Sequence, residues 1–146
     1  METITQTLSA EHAHCDQLFA QAEEKAANKQ WEQTNTHFAT FRATMEEHFT
    51  MEEKVLFPAV EKRTGQTAGP TAVMRMEHQQ MRQIFDEMQK ALTQQDSEEY
   101  LGLSETLLVL MQQHNAKEQQ MLYPMSDRVL NKEVPFILDK MRQQGK

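Results

Sequence analysis

The chain has 146 residues, of which 22 are acidic and 15 are basic, so its formal net charge is −7. This length suits one domain with a sizeable core, and the acidic balance argues against nucleic acid or an anionic membrane as the main partner. The sequence contains no apolar run near the roughly 20 residues of a membrane-spanning helix, which argues against an integral membrane protein.

Apolar residues recur at steps of three and four along most of the chain, which is the period of an α-helix. In chain order, this pattern predicts four long helices and a short tail helix, at about 3–27, 31–62, 71–93, 97–126 and 135–143. A Gly/Pro-rich loop, TGQTAGP at 64–70, separates the first pair of long helices from the second.

Short connections between long helices favour antiparallel neighbours. We therefore predict an all-α, up-down antiparallel four-helix bundle that forms a single domain over residues 1–146. It would consist of two helical hairpins, 3–62 and 71–126, and the tail helix near 135–143 would cap the bundle or support a dimer.

One eleven-residue motif occurs twice in the sequence, as HFTMEEKVLFP at 48–58 and as HNAKEQQMLYP at 114–124. A shift of 66 residues aligns the two copies, and the same shift aligns His12 with His78. The proline that closes each copy lacks an amide donor and crowds the preceding turn, so we expect it to kink or end its helix.

Four of the six histidines take part in this repeat, one on each long helix: His12, His48, His78 and His114. His14 has no counterpart in the second half and projects toward a more polar side, so we interpret it as a surface or second-layer residue. His37 also lacks a counterpart and is interpreted as structural or exposed.

Two glutamates place charge where a core is expected. Glu52 and Glu118 each follow a repeated histidine by four residues, so they share its helix face and point into the bundle. An unpaired buried carboxylate costs many kcal/mol, on the order of tens in an idealised apolar medium. Because the helix stripes carry no Lys or Arg near these positions, we predict that a metal centre supplies the positive charge.

The number of candidate ligands predicts two metal ions, since four imidazoles and two carboxylates exceed one tetrahedral site. The repeat assigns the two histidines of each half to one ion and lets Glu52 and Glu118 each give one oxygen to each ion. Positions then remain for a bridging oxo or hydroxo group and for an exogenous molecule. Imidazole with carboxylate suits iron, manganese or zinc.

Spacing excludes two other kinds of metal site. Ferritin-like di-iron carboxylate proteins need Glu-x-x-His on two helices. The residues three positions before the four repeated histidines are Ser9, Met45, Arg75 and Met111. The sequence also lacks the His-Glu-x-x-His string of zinc proteases.

With one histidine on each long helix and two His-x-x-x-Glu motifs, the sequence resembles the bacterial hemerythrin-like (HHE cation-binding) family. The resemblance runs from Glu11 to about Pro124. It implies a hemerythrin-like bundle around two non-haem iron ions bridged by oxo or hydroxo and carboxylate groups, with manganese or zinc as substitutes, which binds dioxygen or nitric oxide. Carried over residue by residue, the implied metal ligands are His12, His48, Glu52, His78, His114 and Glu118.

The sequence departs from the pattern of oxygen-carrying hemerythrins. Those proteins have a further histidine one turn along the third helix, where this chain has Arg82. They also have an aspartate five residues after the last histidine, whereas Glu118 follows His114 by four. The ligand set looks closer to family members linked to iron sensing or to repair of nitrosative and oxidative damage.

We therefore predict a cytoplasmic protein that binds or senses O2, NO or available iron, with no catalytic residue assigned. The alternative is a di-iron enzyme or iron donor in stress defence, which reduces NO or peroxide or repairs iron–sulfur centres. Because no flavin or nicotinamide motif occurs, turnover would need an external electron donor. The sequence leaves open whether the chain is a monomer or a homodimer.

Cys15 is the single cysteine, which fits a reducing compartment. It lies one turn from His12 on the same stripe. We interpret it as a buried packing residue, with participation in the metal site as the alternative.

Overall fold

The structure, a computed structural model, describes residues 2–144. Its helices are α1 Ile4–Ala27, α2 Trp31–Met51, α3 Phe57–Thr64, α4 Pro70–Thr93, α5 Ser97–Lys117, α6 Tyr123–Leu130 and α7 Val134–Gln144. A first π turn, Glu52–Leu56, joins α2 to α3, and a second π turn, Glu118–Leu122, joins α5 to α6. A 3-10 turn, Asn131–Glu133, leads into α7.

The predicted fold class is confirmed. The four long helical segments, α1, α2–α3, α4 and α5–α6, form an all-α bundle, and α7 is the extra C-terminal helix. Along residues 2–144, none of the helices is both long enough and apolar enough to cross a membrane.

The backbone repeats with the same 66-residue shift as the sequence. α1 and α4 have 24 residues each, α2 and α5 have 21, the π turns have 5, and α3 and α6 have 8. Each hairpin turn uses one residue with positive φ, Lys29 at 56° and Gln95 at 53°. Each half also ends at a positive φ, at Gly65 (74°) and Asn131 (47°). The chain therefore folds as two similar hairpins.

Local capping explains where the helices begin. The side chain of Thr3 accepts the Gln6 N–H at 3.0 Å, and Asp96 accepts the Glu99 N–H at 3.0 Å, so both hairpins have a capped helix start. α4 begins at Pro70, whose fixed φ suits a first helical position and whose missing N–H leaves no unpaired donor there.

Each π turn forms where a proline interrupts the helical hydrogen bonds. Pro58 is the second residue of α3 and has no N–H for the carbonyl four residues before it. The preceding residue, Phe57, donates its N–H to the carbonyl of Glu52, five residues back. The second copy around Pro124 is built in the same way. The predicted interruption is thus a widened turn, after which the helical course continues.

Two clusters of buried apolar side chains fill the bundle. The first packs around the aromatic residues Phe19, Phe38, Phe41, Phe49, Phe85 and Tyr100. The second packs around Ile4, Leu8, Leu56, Phe57, Leu122 and Tyr123. α7 lies against the second cluster through Val134, Ile137, Leu138 and Met141, so it covers this end of the bundle. The buried histidines and glutamates lie along the helices between the two clusters.

Candidate metal centre

The structure brings all six predicted ligand residues together in the middle of the bundle. Each long helix contributes one imidazole, and each π turn begins with one glutamate. The exposed fractions are at most 5%, and those of Glu52 and Glu118 are 0%. The histidine and glutamate of each His-x-x-x-Glu motif lie close together, as their i, i+4 spacing predicts. His48 Nε2 is 3.4 Å from Glu52 Oε1, and His114 Nε2 is 3.2 Å from Glu118 Oε1.

Their donor atoms form two overlapping groups, and within each group the atoms lie within 4.8 Å of one another. The first group contains Glu52, His78, His114 and Glu118. The second group contains His12, His48 and Glu118. The histidines pair as the repeat predicts, but only Glu118 belongs to both groups, so the two halves of the centre are not equivalent.

Several buried atoms in this centre lack a hydrogen-bond partner. They are Glu52 Oε1, His78 Nε2, His114 Nε2 and Glu118 Oε2. His78 Nε2 lies 3.1 Å from Glu52 Oε1, yet the two atoms do not have hydrogen-bond geometry. Since buried polar atoms are normally satisfied, these orphaned atoms fit a cation placed between them. Among residues 2–144, no Lys or Arg makes an ion pair with either glutamate.

An outer layer of carboxylates, which the helix stripes do not predict, orients three of the imidazoles. His48 Nδ1 lies 2.9 Å from Glu11, His78 Nδ1 lies 2.7 Å from Glu53, and His114 Nδ1 lies 2.8 Å from Glu77. An ionised carboxylate only accepts, so Nδ1 donates and Nε2 is the nitrogen that faces the centre, where the neutral ring can offer it to a metal. This arrangement is typical of metal-ligating histidines. The repeat held a signal for it, because Glu11 and Glu77 are 66 residues apart.

His12 has a different partner, the amide of Gln119. Gln119 Nε2 lies 3.0 Å from His12 Nδ1, so the amide donates to the ring. His12 Nε2 then carries the proton and faces Glu118 Oε1 at 3.0 Å. Rotation of the amide by half a turn presents its oxygen instead, so Gln119 can support either tautomer, whereas the carboxylates fix one.

Burial and mutual repulsion control the ionisation of the two central glutamates. Burial, followed by the negative charge of Glu118, raises the pKa of Glu52 above its ordinary value. Burial also opposes ionisation of Glu118, but the imidazoles of His114 and His12 beside it hold the pKa of that carboxyl well below its ordinary value. The metal-free centre therefore favours one charged and one neutral carboxyl.

Tyr123 is a further member of the centre, in addition to the six residues predicted from the sequence. Its hydroxyl lies 2.6 Å from Glu52 Oε2 and 2.9 Å from Glu118 Oε1, and it is 3.1 Å from His12 Nε2 and 3.3 Å from His48 Nε2. Burial and the two carboxylates raise its pKa well above the ordinary value, so the phenol donates a hydrogen bond in the metal-free protein.

Arg82, which stands where oxygen carriers have a histidine, lies in the outer layer. Its guanidinium pairs with Glu53 at 3.0 Å and with Glu46 at 2.7 Å, and it lies 5.1 Å from the centre of the Phe49 ring. Burial opposes ionisation of Glu53, but hydrogen bonds from His78 and Arg82 lower its pKa to about 2. Arg82 therefore keeps charged the carboxylate that orients His78.

The remaining candidates lie outside the centre. His14 is exposed and His37 is half-buried on α2, and neither belongs to a ligand group within residues 2–144. Cys15 is 2% exposed and packs in the first apolar cluster, where burial raises its pKa to about 12. A neutral, enclosed thiol of this kind behaves as a packing residue.

A polar cleft of about 270 Å3 between α1 and α5 reaches the centre from outside. His12 lies in its lining together with Ser9, Asp16, Gln112, Asn115 and Gln119. None of the other five predicted ligands lines it, so the His12 side of the centre is the one nearest to solvent.

Comparison with protein families agrees with this geometry. The family model described as Hemerythrin HHE cation binding domain matches residues 3–126. Searches of curated proteins and of solved structures give no match. The family match confirms the resemblance, and together with the buried His/Glu cluster it identifies a metal-binding protein.

Proposed function

Since the chain belongs to the hemerythrin HHE cation binding domain family, we propose that it is a cytoplasmic non-haem di-iron protein that binds or senses O2, NO or available iron. The six residues that would hold the iron are those the sequence predicted: His12, His48, Glu52, His78, His114 and Glu118. The observation that carries this proposal is a set of four buried nitrogen and oxygen atoms without a hydrogen-bond partner, all from residues of one ligand group. Bound iron would supply redox activity and open positions for a small ligand.

The protein's own residues prepare this centre in two ways. Hydrogen bonds to Nδ1 hold His48, His78 and His114 in fixed orientations, so little side-chain freedom is lost when a metal binds. Apolar rings exclude water on the His78 side of the centre. Phe49 stacks on the His78 ring with ring centres 4.0 Å apart, and the ring centre of Phe57 lies 5.8 Å from that of His78. A dry, rigid donor set favours binding of a small, weakly polar molecule.

An iron-donor or enzyme role in nitrosative or oxidative stress defence is the second candidate, and the polar cleft at His12 favours it. An iron donor must release its metal, and a hydrophilic path lined by Asp16 and Gln119 gives a hydrated ion a way out. An enzyme that reduces NO or peroxide would need an external electron donor.

The test begins with protein loaded with iron and analysed for metal content. The proposal predicts about two iron ions per chain, as six imidazole and carboxylate ligands require. The reduced protein is then mixed anaerobically with O2 or NO in a stopped-flow instrument, followed by an assay for turnover. Rapid spectral change without turnover supports binding or sensing, and repeated turnover with an added reductant supports an enzyme. Stable protein that takes up no iron would overturn both.

A further inference from the structure

Phe57 and Tyr123 occupy equivalent positions in the two halves of the bundle, 66 residues apart. Each is the first residue after a π turn, and each is fully buried. Phe57 lies against His78 with ring centres 5.8 Å apart, and Tyr123 lies against His12 at 5.6 Å. The two rings therefore share one role in packing and differ by a single oxygen atom.

The Tyr123 oxygen lies within hydrogen-bond distance of four side chains of the centre: Glu52, Glu118, His12 and His48. A phenol has only one proton to donate, so it cannot satisfy the oxygens of Glu52 and Glu118 at once. Three of these four residues, His12, His48 and Glu118, form the second ligand group. That group has three members, whereas the first group has four. The phenol oxygen thus stands where a fourth donor is missing.

A second difference between the halves is the residue behind the imidazole. Glu53 places a carboxylate 2.7 Å from His78 Nδ1, whereas its equivalent, Gln119, places a neutral amide 3.0 Å from His12 Nδ1. The half that contains Tyr123 therefore has one carboxylate fewer behind its imidazoles. A phenolate would place an anionic oxygen in the same half, next to the metal instead of behind the histidine.

We propose that Tyr123 supplies its phenolic oxygen as a ligand to the metal ion held by His12, His48 and Glu118. This inference rests on the proposed function and deepens it. On binding, the O–H bond breaks, an oxygen–metal bond forms and one proton leaves to solvent, without oxidation of the ring or reduction of the metal. Because Phe57 has no such oxygen, the centre contains two unlike metal positions, one with a phenolate and one without.

Resonance Raman spectroscopy on iron(III)-loaded full-length protein tests this directly. A phenolate bound to iron(III) gives a visible charge-transfer band, and excitation within that band enhances the vibrations of the phenolate ring. The chain has two tyrosines, and the other one, Tyr100, lies in the first apolar cluster against Phe38. Tyr100→Phe therefore leaves Tyr123 as the single tyrosine, and Tyr123→Phe is its matched partner.

The inference predicts enhanced phenolate modes in the unchanged protein and in Tyr100→Phe, and their loss in Tyr123→Phe. Iron content is measured on all three. Phe57 fills the equivalent position, so a phenylalanine at 123 fits the fold. If Tyr123→Phe nevertheless fails to fold, the Tyr100→Phe spectrum decides alone, because its only phenol is Tyr123.

Two results would overturn the inference. If the unchanged protein holds two irons and shows no phenolate modes, Tyr123 is not a ligand, while the proposed function stands. If the modes persist in Tyr123→Phe, the assignment to Tyr123 is wrong. A chain that binds no iron would instead contradict the proposed function itself, so the two failures are distinguishable.

Discussion

Glu11 and His48 lie on neighbouring helices with Oε1 and Nδ1 2.9 Å apart, and this hydrogen bond decides which imidazole nitrogen faces the middle of the bundle. Glu77 and His114 repeat the relationship at 2.8 Å in the second half. The carboxylate behind each ring also makes the ring a stronger base, which favours metal binding.

Replacing Glu77 by glutamine should weaken metal binding while the fold is kept. Loss of an outer-layer partner typically lowers metal affinity by about 10–100-fold. The measurement is competition for Zn2+ between the protein and a chelator. Glu24→Gln, an exposed substitution on α1, is the matched control and should leave affinity unchanged. Equal affinity in Glu77→Gln would show that this carboxylate does not support a metal ligand.

Replacing Glu52 by glutamine should remove bound metal without weakening the metal-free fold. Glutamine keeps the volume of the side chain. It also removes the repulsion between Glu52 and Glu118, the repulsion that, in addition to burial, raises the pKa of Glu52 in the metal-free protein. Thermal unfolding with and without metal measures both effects, because a metal that binds the folded state raises Tm. We expect no metal-dependent rise in Glu52→Gln. The exposed variant His14→Ala should keep it, and equal loss in the two variants would contradict the assignment.

Zinc affinity should rise with pH between about 6.5 and 9. Burial opposes protonation of His48, but Glu52 and the hydrogen bond to Glu11 outweigh it and raise its pKa from 6.5 to about 9 in the metal-free protein. Protonated His48 therefore stabilises the metal-free fold, an effect complete below pH 6.5 and lost as pH rises through 9.

Metal binding has the opposite requirement, since the ligand must be the neutral imidazole. We thus expect the Tm of the metal-free protein to fall over this range while the affinity for Zn2+ rises. Chelator competition at several pH values gives the affinity. A flat profile over the same range would argue that His48 is not a ligand.

Cys15 should be unreactive in the folded protein. Burial raises its pKa to about 12, and the side chain is 2% exposed, so the thiolate that alkylating reagents attack is absent near neutral pH. We expect iodoacetamide to modify Cys15 only after unfolding. Cys15→Ala should retain metal and lose about 1 kcal/mol of stability. Rapid alkylation of the folded protein, or loss of metal in Cys15→Ala, would indicate that Cys15 takes part in the metal site.

Much of this structure could be predicted because burial of charge and helix periodicity are local properties of a sequence. The register of the repeat placed His12 in the bundle and His14 outside it, as the structure has them. Pro58 and Pro124 signalled an interruption, but its form was not predictable from periodicity, since a π turn depends on which carbonyls remain available.

The outer layer could not be read from the helix stripes because it depends on contacts between helices. Glu77 belongs to α4 but serves His114 on α5, and Glu53 belongs to the first π turn but serves His78 on α4. The role of Tyr123 could not be predicted for another reason, since an aromatic residue that follows an apolar leucine is typical of a hydrophobic core. Its place in the centre is shown only by the short distances from its hydroxyl to Glu52 and Glu118.

Anomalous X-ray diffraction from crystals of the iron-loaded protein, recorded at the iron absorption edge, tests the central claim most directly. We predict two iron peaks per chain, one bonded by Nε2 of His12 and His48 and the other by Nε2 of His78 and His114, with carboxylate oxygens of Glu52 or Glu118 in contact with both. A single surface peak, or no peak among these six side chains, would contradict it.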